Sequence, residues 1–217
     1  MNKQQRYQFI LNWFRNEMPR VSTELQFGSP FQLLVATILS AQCTDKRVNI
    51  VTPELFAVYP DAKTMSQATE DDIYDLIKSV SYPNSKAKHL VAMARMIMDV
   101  FGGDVPQSMD DLQKLPGVGR KTANVMQAVA FGKNAIAVDT HVYRVSHRLG
   151  LVSKNATTPL KVELELKKNI PPELQADAHH WLLLHGRYIC QSRLPKCAKC
   201  PFNDFCPQNL QNSKLEK

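Results

Sequence analysis

A glycine-rich turn runs directly into two basic residues in the sequence LPGVGRKTAN at 115–124. The residues concerned are Gly117, Val118, Gly119, Arg120 and Lys121. Because glycine permits positive φ and leaves the backbone uncovered, amides at such a turn can converge on an anionic oxygen where the next helix begins. That arrangement would hold a phosphate group, although an ordinary turn between two helices has the same pattern. The basic residues that follow favour phosphate binding at 117–120.

Lys121 has the position of a candidate nucleophile. It lies in the first turn of the predicted helix, where the positive end of the helix dipole disfavours the ammonium form. A neutral lysine amine is a nucleophile that can form a Schiff base with a carbonyl carbon. The alternative is a solvated surface lysine, which is what most lysines are.

Asp139 is the second candidate for chemistry. It ends an apolar run in AVDTHVYRVSHRLG at 137–150 and precedes residues with helical spacing. Aspartate in that place is a typical helix N-cap, and capping alone would account for it. Capping and catalysis are compatible, because a capping carboxylate is held rigidly and can still face a reaction centre.

Four of the five cysteines fall in one short segment with the spacing C-x6-C-x2-C-x5-C. They are Cys190, Cys197, Cys200 and Cys206. Four thiolates this close can surround one metal centre, either zinc or an iron-sulfur cluster. Zinc ribbons usually bring two close cysteine pairs and this segment has one, so the spacing favours a [4Fe-4S] cluster and leaves zinc as the alternative.

Other residues near these motifs carry weaker signals. Arg193 and Lys196 lie between the first two cysteines of the segment, in a loop that either contacts phosphates or is simply solvated. The fifth cysteine, Cys43, lies in the apolar helix predicted to include LSAQC and is expected to be a small core residue.

The elements that position these residues are predicted to be helices. Hydroxyl–proline pairs mark helix starts at Ser29-Pro30, Thr52-Pro53 and Thr158-Pro159. Capping boxes are indicated at Thr69 with Asp72 and at Ser108 with Asp111. One apolar stripe with 3.6-residue spacing consists of Leu90, Val91, Ala94, Ile97, Met98 and Phe101. No segment alternates with a period of two, so we predict an all-α protein of about ten short helices.

Composition narrows the class of protein. The chain has 217 residues, which is enough to bury a core. Its formal net charge of +7 suits a polyanionic partner, although such a charge is also common in proteins without one. The longest apolar stretch is too short to span a bilayer, and the N-terminal sequence lacks the apolar core of a signal peptide. We therefore expect a cytoplasmic, intracellular protein without a membrane partner, whose cysteines do not form disulfides.

Taken together, these motifs resemble the endonuclease III family, DNA glycosylases and lyases of the helix-hairpin-helix superfamily. The resemblance extends from about Gln26 to Cys206 and also includes LSAQCTD at 39–45. It implies a bilobed all-α fold, with a six-helix barrel at 23–133 that ends in the hairpin. The second lobe would comprise 1–22 and 134–211 and hold a [4Fe-4S] cluster, with 212–217 as a frayed tail. The partner would be double-stranded DNA with damaged bases or abasic sites, bound by a monomer across the cleft between the lobes.

The resemblance also implies roles for single residues. Lys121 would attack C1′ of a damaged nucleotide and expel the base. β-elimination would then cut the strand on the 3′ side. Asp139 would assist by deprotonating the amine or by stabilising positive charge at the sugar. The substrate class implied is the oxidised pyrimidines removed in base excision repair.

Three residues would contact the DNA around the flipped base. Gln42 would fill the vacated space, and His141 would contact the unpaired partner base or its backbone. In SVSYPNSKA the usual apolar wedge of the family is replaced, and Tyr82 occupies its place, where it can stack on a base. Without the resemblance, Gln42 is interpreted as a polar group at a helix end and His141 as a satisfied helical histidine.

Two rival functions stay open at this point. One is a monofunctional adenine or mismatch thymine glycosylase, a relative that lacks lysine at position 121 and leaves the strand intact. The other is a non-catalytic DNA-binding or redox protein that uses only the hairpin and the cluster. Lys121 argues against the first rival, and the presence of Lys121 together with Asp139 argues against the second.

Overall fold

The structure, a computed structural model, describes residues 1–19 and 21–209. Within that part of the chain it contains eleven α-helices and no strand, which confirms the all-α prediction. The helices are α1 (Lys3–Glu17), α2 (Pro30–Leu39), α3 (Asp45–Val58), α4 (Ala62–Ser66), α5 (Glu70–Ile77), α6 (Pro83–Phe101), α7 (Met109–Lys114), α8 (Arg120–Val125), α9 (Thr140–Arg148), α10 (Pro159–Asn169) and α11 (Gln175–Tyr188). A π-helical turn, Met126–Ala130, continues α8. The tail expected at 212–217, with 210–211, lies outside the described residues.

Most predicted helix starts are confirmed by their caps. The Ser29 side chain accepts the N–H of Gln32 at the start of α2, and the Thr158 side chain caps α10 in the same way. Thr69 and Asp72 form the complete capping box predicted for α5. Ser108 caps α7. These caps are bonds between residues three apart, which is why the local sequence specifies them.

The start predicted at Thr52-Pro53 is wrong. Pro53 lies inside α3, which begins at Asp45 after the side chain of Thr44 accepts the N–H of Arg47. A proline removes one backbone hydrogen bond from a helix interior. The helix nevertheless continues, because Val48 and Leu55 bury the same face on both sides of the proline.

The chain divides into two compact units. The hairpin unit is Thr23–Gly132, and the cysteine unit is Met1–Ser22 together with Lys133–Lys217. The core of the hairpin unit includes α2, in which every residue from 33 to 39 is buried. Helix α6 adds its predicted stripe to this core, with Leu90, Val91, Ala94 and Ile97 buried and Met98 and Phe101 partly buried.

An aromatic cluster holds the cysteine unit together. Phe14 of α1 stacks on Trp181 of α11 with ring centroids 5.7 Å apart, and it meets Phe202 edge-on at 5.3 Å. The indole of Trp181 also donates a hydrogen bond to the Met18 carbonyl at 2.9 Å. Burying one aromatic side chain stabilises a fold by roughly 2–3 kcal/mol. These contacts therefore fix α1 against α11 and against the segment that contains the cysteines.

Candidate active site and cysteine cluster

The predicted hairpin is formed by α7, a short turn and α8. Gly117 in the turn has φ +80°, and a Cβ there would lie 3.1 Å from the Cβ of His89 on α6. Glycine is therefore required at 117 both by its backbone conformation and by its close approach to α6. The N-cap of α8 is Gly119, and no side chain caps that helix. The turn and the start of α8 thus lie where the sequence predicts them, and phosphate binding there stays a prediction.

Lys121 lies at the second position of α8, in the first turn as predicted. Its side chain is exposed. An exposed amine at this place is accessible to a large substrate.

The π-helical turn that follows α8 was not anticipated. The N–H of Phe131 donates to the carbonyl of Met126, five residues back, at 3.2 Å, where an α-helix would use the carbonyl four residues back. Such turns occur often at functional sites. Here the turn ends the helix that carries Lys121.

Asp139 is the N-cap of α9, as predicted. One of its carboxylate oxygens, Oδ1, accepts the N–H of Val142 at 2.8 Å, and the residue is half-buried. The four residues before it, 135–138, are buried, so the backbone that leads to the carboxylate is packed in the core of the cysteine unit. The carboxylate is consequently fixed in position by a hydrogen bond at one oxygen and by core packing behind it.

His141, on the same helix, is half-buried and has a defined partner. Its Nδ1 lies 3.2 Å from Nη2 of Arg144, which also donates to the carbonyl of Gly186 at 2.9 Å. Because a guanidinium only donates, Nδ1 of His141 is the acceptor in this contact. The arginine therefore orients the histidine that the sequence predicts as a DNA contact.

Gln42 and Tyr82 both have left-handed backbones, with φ of 54° and 57°. They are the two non-glycine residues with positive φ in the described part of the chain. Both side chains are exposed, and Tyr82 keeps 65% of its accessible surface. Left-handed backbones in non-glycine residues persist where the surrounding structure fixes them, and they are frequent at binding sites.

The predicted helix around LSAQC ends earlier than expected. Helix α2 stops at Leu39, so Gln42 and Cys43 lie in the turn after it rather than in the helix. Cys43 is partly buried and packs against the core of the hairpin unit, as predicted. The shorter helix is what places Gln42 on an exposed turn.

The four clustered cysteines line one cavity of about 240 Å³. Arg148 of α9 closes one side of it, since its Nη1 lies 3.6 Å from Sγ of Cys190 and donates to the carbonyl of Gln191 at 2.6 Å. On another side, Nε2 of His185 lies 3.6 Å from Sγ of Cys200. No three histidine, cysteine, aspartate or glutamate side chains of residues 1–19 and 21–209 are close enough together to hold a single metal ion.

Burial controls protonation around the cavity. It lowers the pKa of His185 to about 4, so this ring is neutral at pH 7. Burial also raises the pKa of the Cys200 thiol to about 11. Because a metal binds the thiolate, loading the site must release that proton.

The loop between Cys190 and Cys197 is anchored at both ends. The Lys196 N–H donates to the carbonyl of Ile189 at 2.9 Å, and Arg148 donates to the carbonyl of Ser192 at 2.9 Å. Between these anchors Arg193 and Lys196 are exposed. Arg148 was not among the predicted site residues. Its only signal in the sequence is its spacing of four residues from Arg144, which puts both guanidiniums on one face of α9.

The described helices include a glycine hairpin before a lysine and a capped aspartate, and a four-cysteine loop follows α11. Together these features are typical of a class of DNA repair glycosylases. Residues 35–172 match the model of the HhH-GPD superfamily of base excision DNA repair proteins. The chain belongs to the endonuclease III family of this superfamily. No helix among the described residues is long and apolar enough to cross a membrane.

Relatives match over nearly their whole length. Endonuclease III of Haemophilus influenzae is 44% identical over 206 residues, which cover 95% of this chain and 96% of that protein. Endonuclease III of Escherichia coli K12 is 43% identical over 207 residues, with coverages of 95% and 96%. A solved structure of a trapped endonuclease III–DNA covalent intermediate is 40% identical, with a TM-score of 0.92 over 98% of this chain and 99% of the other. The solved structure of a thermostable thymine-DNA glycosylase shares the fold. It is 24% identical, with a TM-score of 0.82 over 96% of this chain and 97% of the other.

Proposed function

We propose that this protein is a bifunctional DNA glycosylase and AP lyase of base excision repair that removes oxidised pyrimidines. The observation that carries the proposal is Lys121, an accessible amine in the first turn of the helix behind the glycine hairpin. Family membership supports it, because a 40% identical endonuclease III has been captured as a covalent intermediate with DNA.

Lys121 is proposed to act as the nucleophile. Its neutral amine bonds to C1′ while the bond from C1′ to the damaged base breaks, and the base leaves with a proton. The nitrogen gives up one of its two protons, and the sugar ring opens at O4′, which takes up a proton. The nitrogen keeps its remaining proton, so that a protonated Schiff base results. This cationic carbon–nitrogen bond acidifies the C2′ proton. Loss of that proton expels the 3′ phosphate, so the strand is cut by β-elimination.

Asp139 is proposed to support the first of these steps. A carboxylate favours deprotonation of an ammonium group or stabilises positive charge as it develops at the sugar. Both roles need a carboxylate that stays in one place, and the hydrogen bond from Val142 and the buried segment before Asp139 hold it there.

Double-stranded DNA is the proposed partner. The turn at 117–119 and Arg120 would hold phosphates through backbone amides and charge, and Arg193 and Lys196 would add phosphate contacts from the cysteine loop. These contacts fix the position of the protein on the duplex but do not read its sequence. Gln42, Tyr82 and His141 are proposed to contact the bases around the extruded nucleotide, at a site where a damaged, poorly stacked base costs least to flip.

A [4Fe-4S] cluster is the proposed resident cofactor, held by Cys190, Cys197, Cys200 and Cys206. The donor set fits, since all four thiols line one cavity. Tetrahedral zinc with Zn–S bonds of about 2.3 Å would draw the sulfurs to within about 4 Å of one another. The sequence has one close cysteine pair, Cys197 and Cys200, where zinc ribbons usually have two, and this spacing favours the cluster. When bound, the cluster supplies a rigid cross-link that holds the loop with Arg193 and Lys196.

A monomeric state and a cytoplasmic location stay predictions.

Borohydride trapping tests the nucleophile. The protein is incubated with a duplex that carries an abasic site, borohydride is added, and a covalent adduct is sought on a denaturing gel. Wild-type protein should be trapped and Lys121→Ala should not. The matched control is Lys154→Ala, which removes the same charge at an exposed position of the cysteine unit and should be trapped normally.

The same assay separates the rival functions. A monofunctional glycosylase would release thymine glycol or dihydrouracil from a duplex without forming an adduct or cutting the strand. A non-catalytic binding protein would do neither. Trapping that survives in Lys121→Ala would mean that another amine is the nucleophile.

A further inference from the structure

Lys86 connects two segments that are distant in the sequence. It lies in the first turn of α6 and is buried, with 5% of its surface exposed. Its Nζ donates to the carbonyls of Leu39 at 2.7 Å and Ala41 at 2.8 Å. Its backbone N–H donates to the carbonyl of Tyr82 at 3.2 Å. One residue therefore bonds the turn after α2 through its side chain and the start of α6 through its backbone.

The charge of this lysine matches its surroundings. Lysine is almost never buried without polar partners, and here the partners are carbonyls at the C-terminal end of α2. That end of a helix carries partial negative charge, and the last turn of α2 contains no basic residue of its own. Lys86 supplies the missing positive charge from another helix, although burial lowers the pKa of its ammonium group.

The segments joined by Lys86 are those with left-handed backbones. Gln42 directly follows Ala41, whose carbonyl accepts from Nζ, and Tyr82 itself accepts from the backbone N–H. A left-handed conformation at a non-glycine residue needs contacts that outweigh its strain. The bonds from Lys86 lie within one residue of both strained positions, so they restrain Gln42 and Tyr82 relative to each other.

We propose that Lys86 is a positioning residue for lesion recognition, which holds Gln42 and Tyr82 as one preset element without itself contacting DNA. The inference rests on the proposed function, because it requires that both side chains meet the bases around a flipped nucleotide. The alternative is that Lys86 only stabilises the hairpin unit.

The test compares Lys86→Met with Lys88→Met. Methionine keeps the length of the side chain but cannot donate, and Lys88 is an exposed lysine two residues further along α6. Dissociation constants are measured for a duplex with a tetrahydrofuran abasic-site analogue and for the undamaged duplex. Lys86→Met should reduce the preference for the abasic analogue roughly two- to a hundredfold, the range of coupling measured between residues that share contacts. Lys88→Met should weaken binding to both duplexes alike and leave the preference unchanged.

A double-mutant cycle separates positioning from stability. Gln42→Ala and Tyr82→Ala are each measured in the wild-type and in the Lys86→Met background. If Lys86 acts through these side chains, each alanine change lowers the preference in the wild type and has little further effect after Lys86→Met. Effects that simply multiply, or a Lys86→Met protein with wild-type preference, would overturn the proposal.

Two further measurements keep the result unambiguous. Thermal unfolding shows whether Lys86→Met is folded; if it is not, the cycle is run with Lys86→Arg, whose planar guanidinium cannot place one nitrogen between the two carbonyls. Borohydride trapping at saturating abasic DNA should stay within about threefold of wild type, because the defect lies in binding rather than in the amine chemistry. If the wild-type protein is not trapped on abasic DNA, the proposed function is contradicted. If it is trapped normally but the effects of the substitutions in the cycle simply multiply, only the role of Lys86 is contradicted.

Discussion

Substitutions at Asp139 can separate its capping role from its chemical role. Oδ1 of Asp139 accepts the N–H of Val142 at 2.8 Å, and this bond caps α9. Asparagine presents an oxygen of the same geometry and caps helices as well as aspartate does, whereas alanine cannot cap. Asp139→Asn therefore removes the charge and keeps the cap, and Asp139→Ala removes both.

The two variants should differ in stability by an amount that follows from the cap. Losing a capping bond costs about 1 kcal/mol, and losing a negative charge at a helix N-terminus costs about 0.5 kcal/mol more. For a chain of this size, 1 kcal/mol corresponds to roughly 2–4 °C in the melting temperature. Asp139→Ala should therefore melt about 4 °C below wild type, and Asp139→Asn within about 2 °C of it.

Activity should follow the charge instead of the cap. A carboxylate that assists proton transfer or stabilises a cation contributes about 10²–10⁴-fold in rate. We expect both variants to lose base release by that factor, although only Asp139→Ala loses appreciable stability.

The assay combines calorimetric melting, single-turnover release of thymine glycol from a duplex, and affinity for an abasic-site analogue. Base release by Asp139→Asn within about threefold of wild type would refute the chemical role. Melting of Asp139→Asn as low as that of Asp139→Ala would refute the capping argument. A collapse of DNA affinity in Asp139→Asn would mean that the carboxylate is mainly structural.

Two other measurements test the cysteine unit. Burial alone would raise the pKa of Glu165, but hydrogen bonds from Lys3 and Ser153 lower it from 4.5 to about 2, so folding favours the ionised form. Above pH 4.5, the wild type should therefore be more stable than Glu165→Gln by about 1 kcal/mol. In acid unfolding curves this advantage should disappear as the pH falls towards 2. For the cysteines, the purified protein should contain iron and sulfide and show a broad absorption shoulder at the blue end of the visible range. Removing the iron should weaken DNA binding. A colourless protein with stoichiometric zinc would contradict the proposed cluster.

Bonds between near neighbours made much of the site predictable. The caps at Ser29 and Asp139 depend on residues three positions apart, and the first-turn position of Lys121 follows from the glycines before it. A pattern of this kind is complete within one short window of sequence, so it survives in the folded chain unless tertiary packing overrides it.

Contacts between distant segments could not be predicted. Lys86 looks like any lysine in a helix, and its bonds to Leu39 and Ala41 span 47 and 45 residues. The continuation of α3 through Pro53 depends on a face that is buried only in the complete hairpin unit. In each case local preference was outweighed by packing that no sequence window contains.

The contact of α1 with α11 has a consequence for synthesis on the ribosome. Phe14 can pack on Trp181 only after the last helix has emerged, whereas the hairpin unit is one continuous stretch of chain and can fold earlier. Before α11 has emerged, the apolar face of α1 lacks its partner Trp181, and the four thiols, which follow α11 in the chain, have not been synthesised. Iron insertion should therefore come after the synthesis of α11, and a nascent chain stalled before α11 should contain a folded hairpin unit and an unfolded amino-terminal segment.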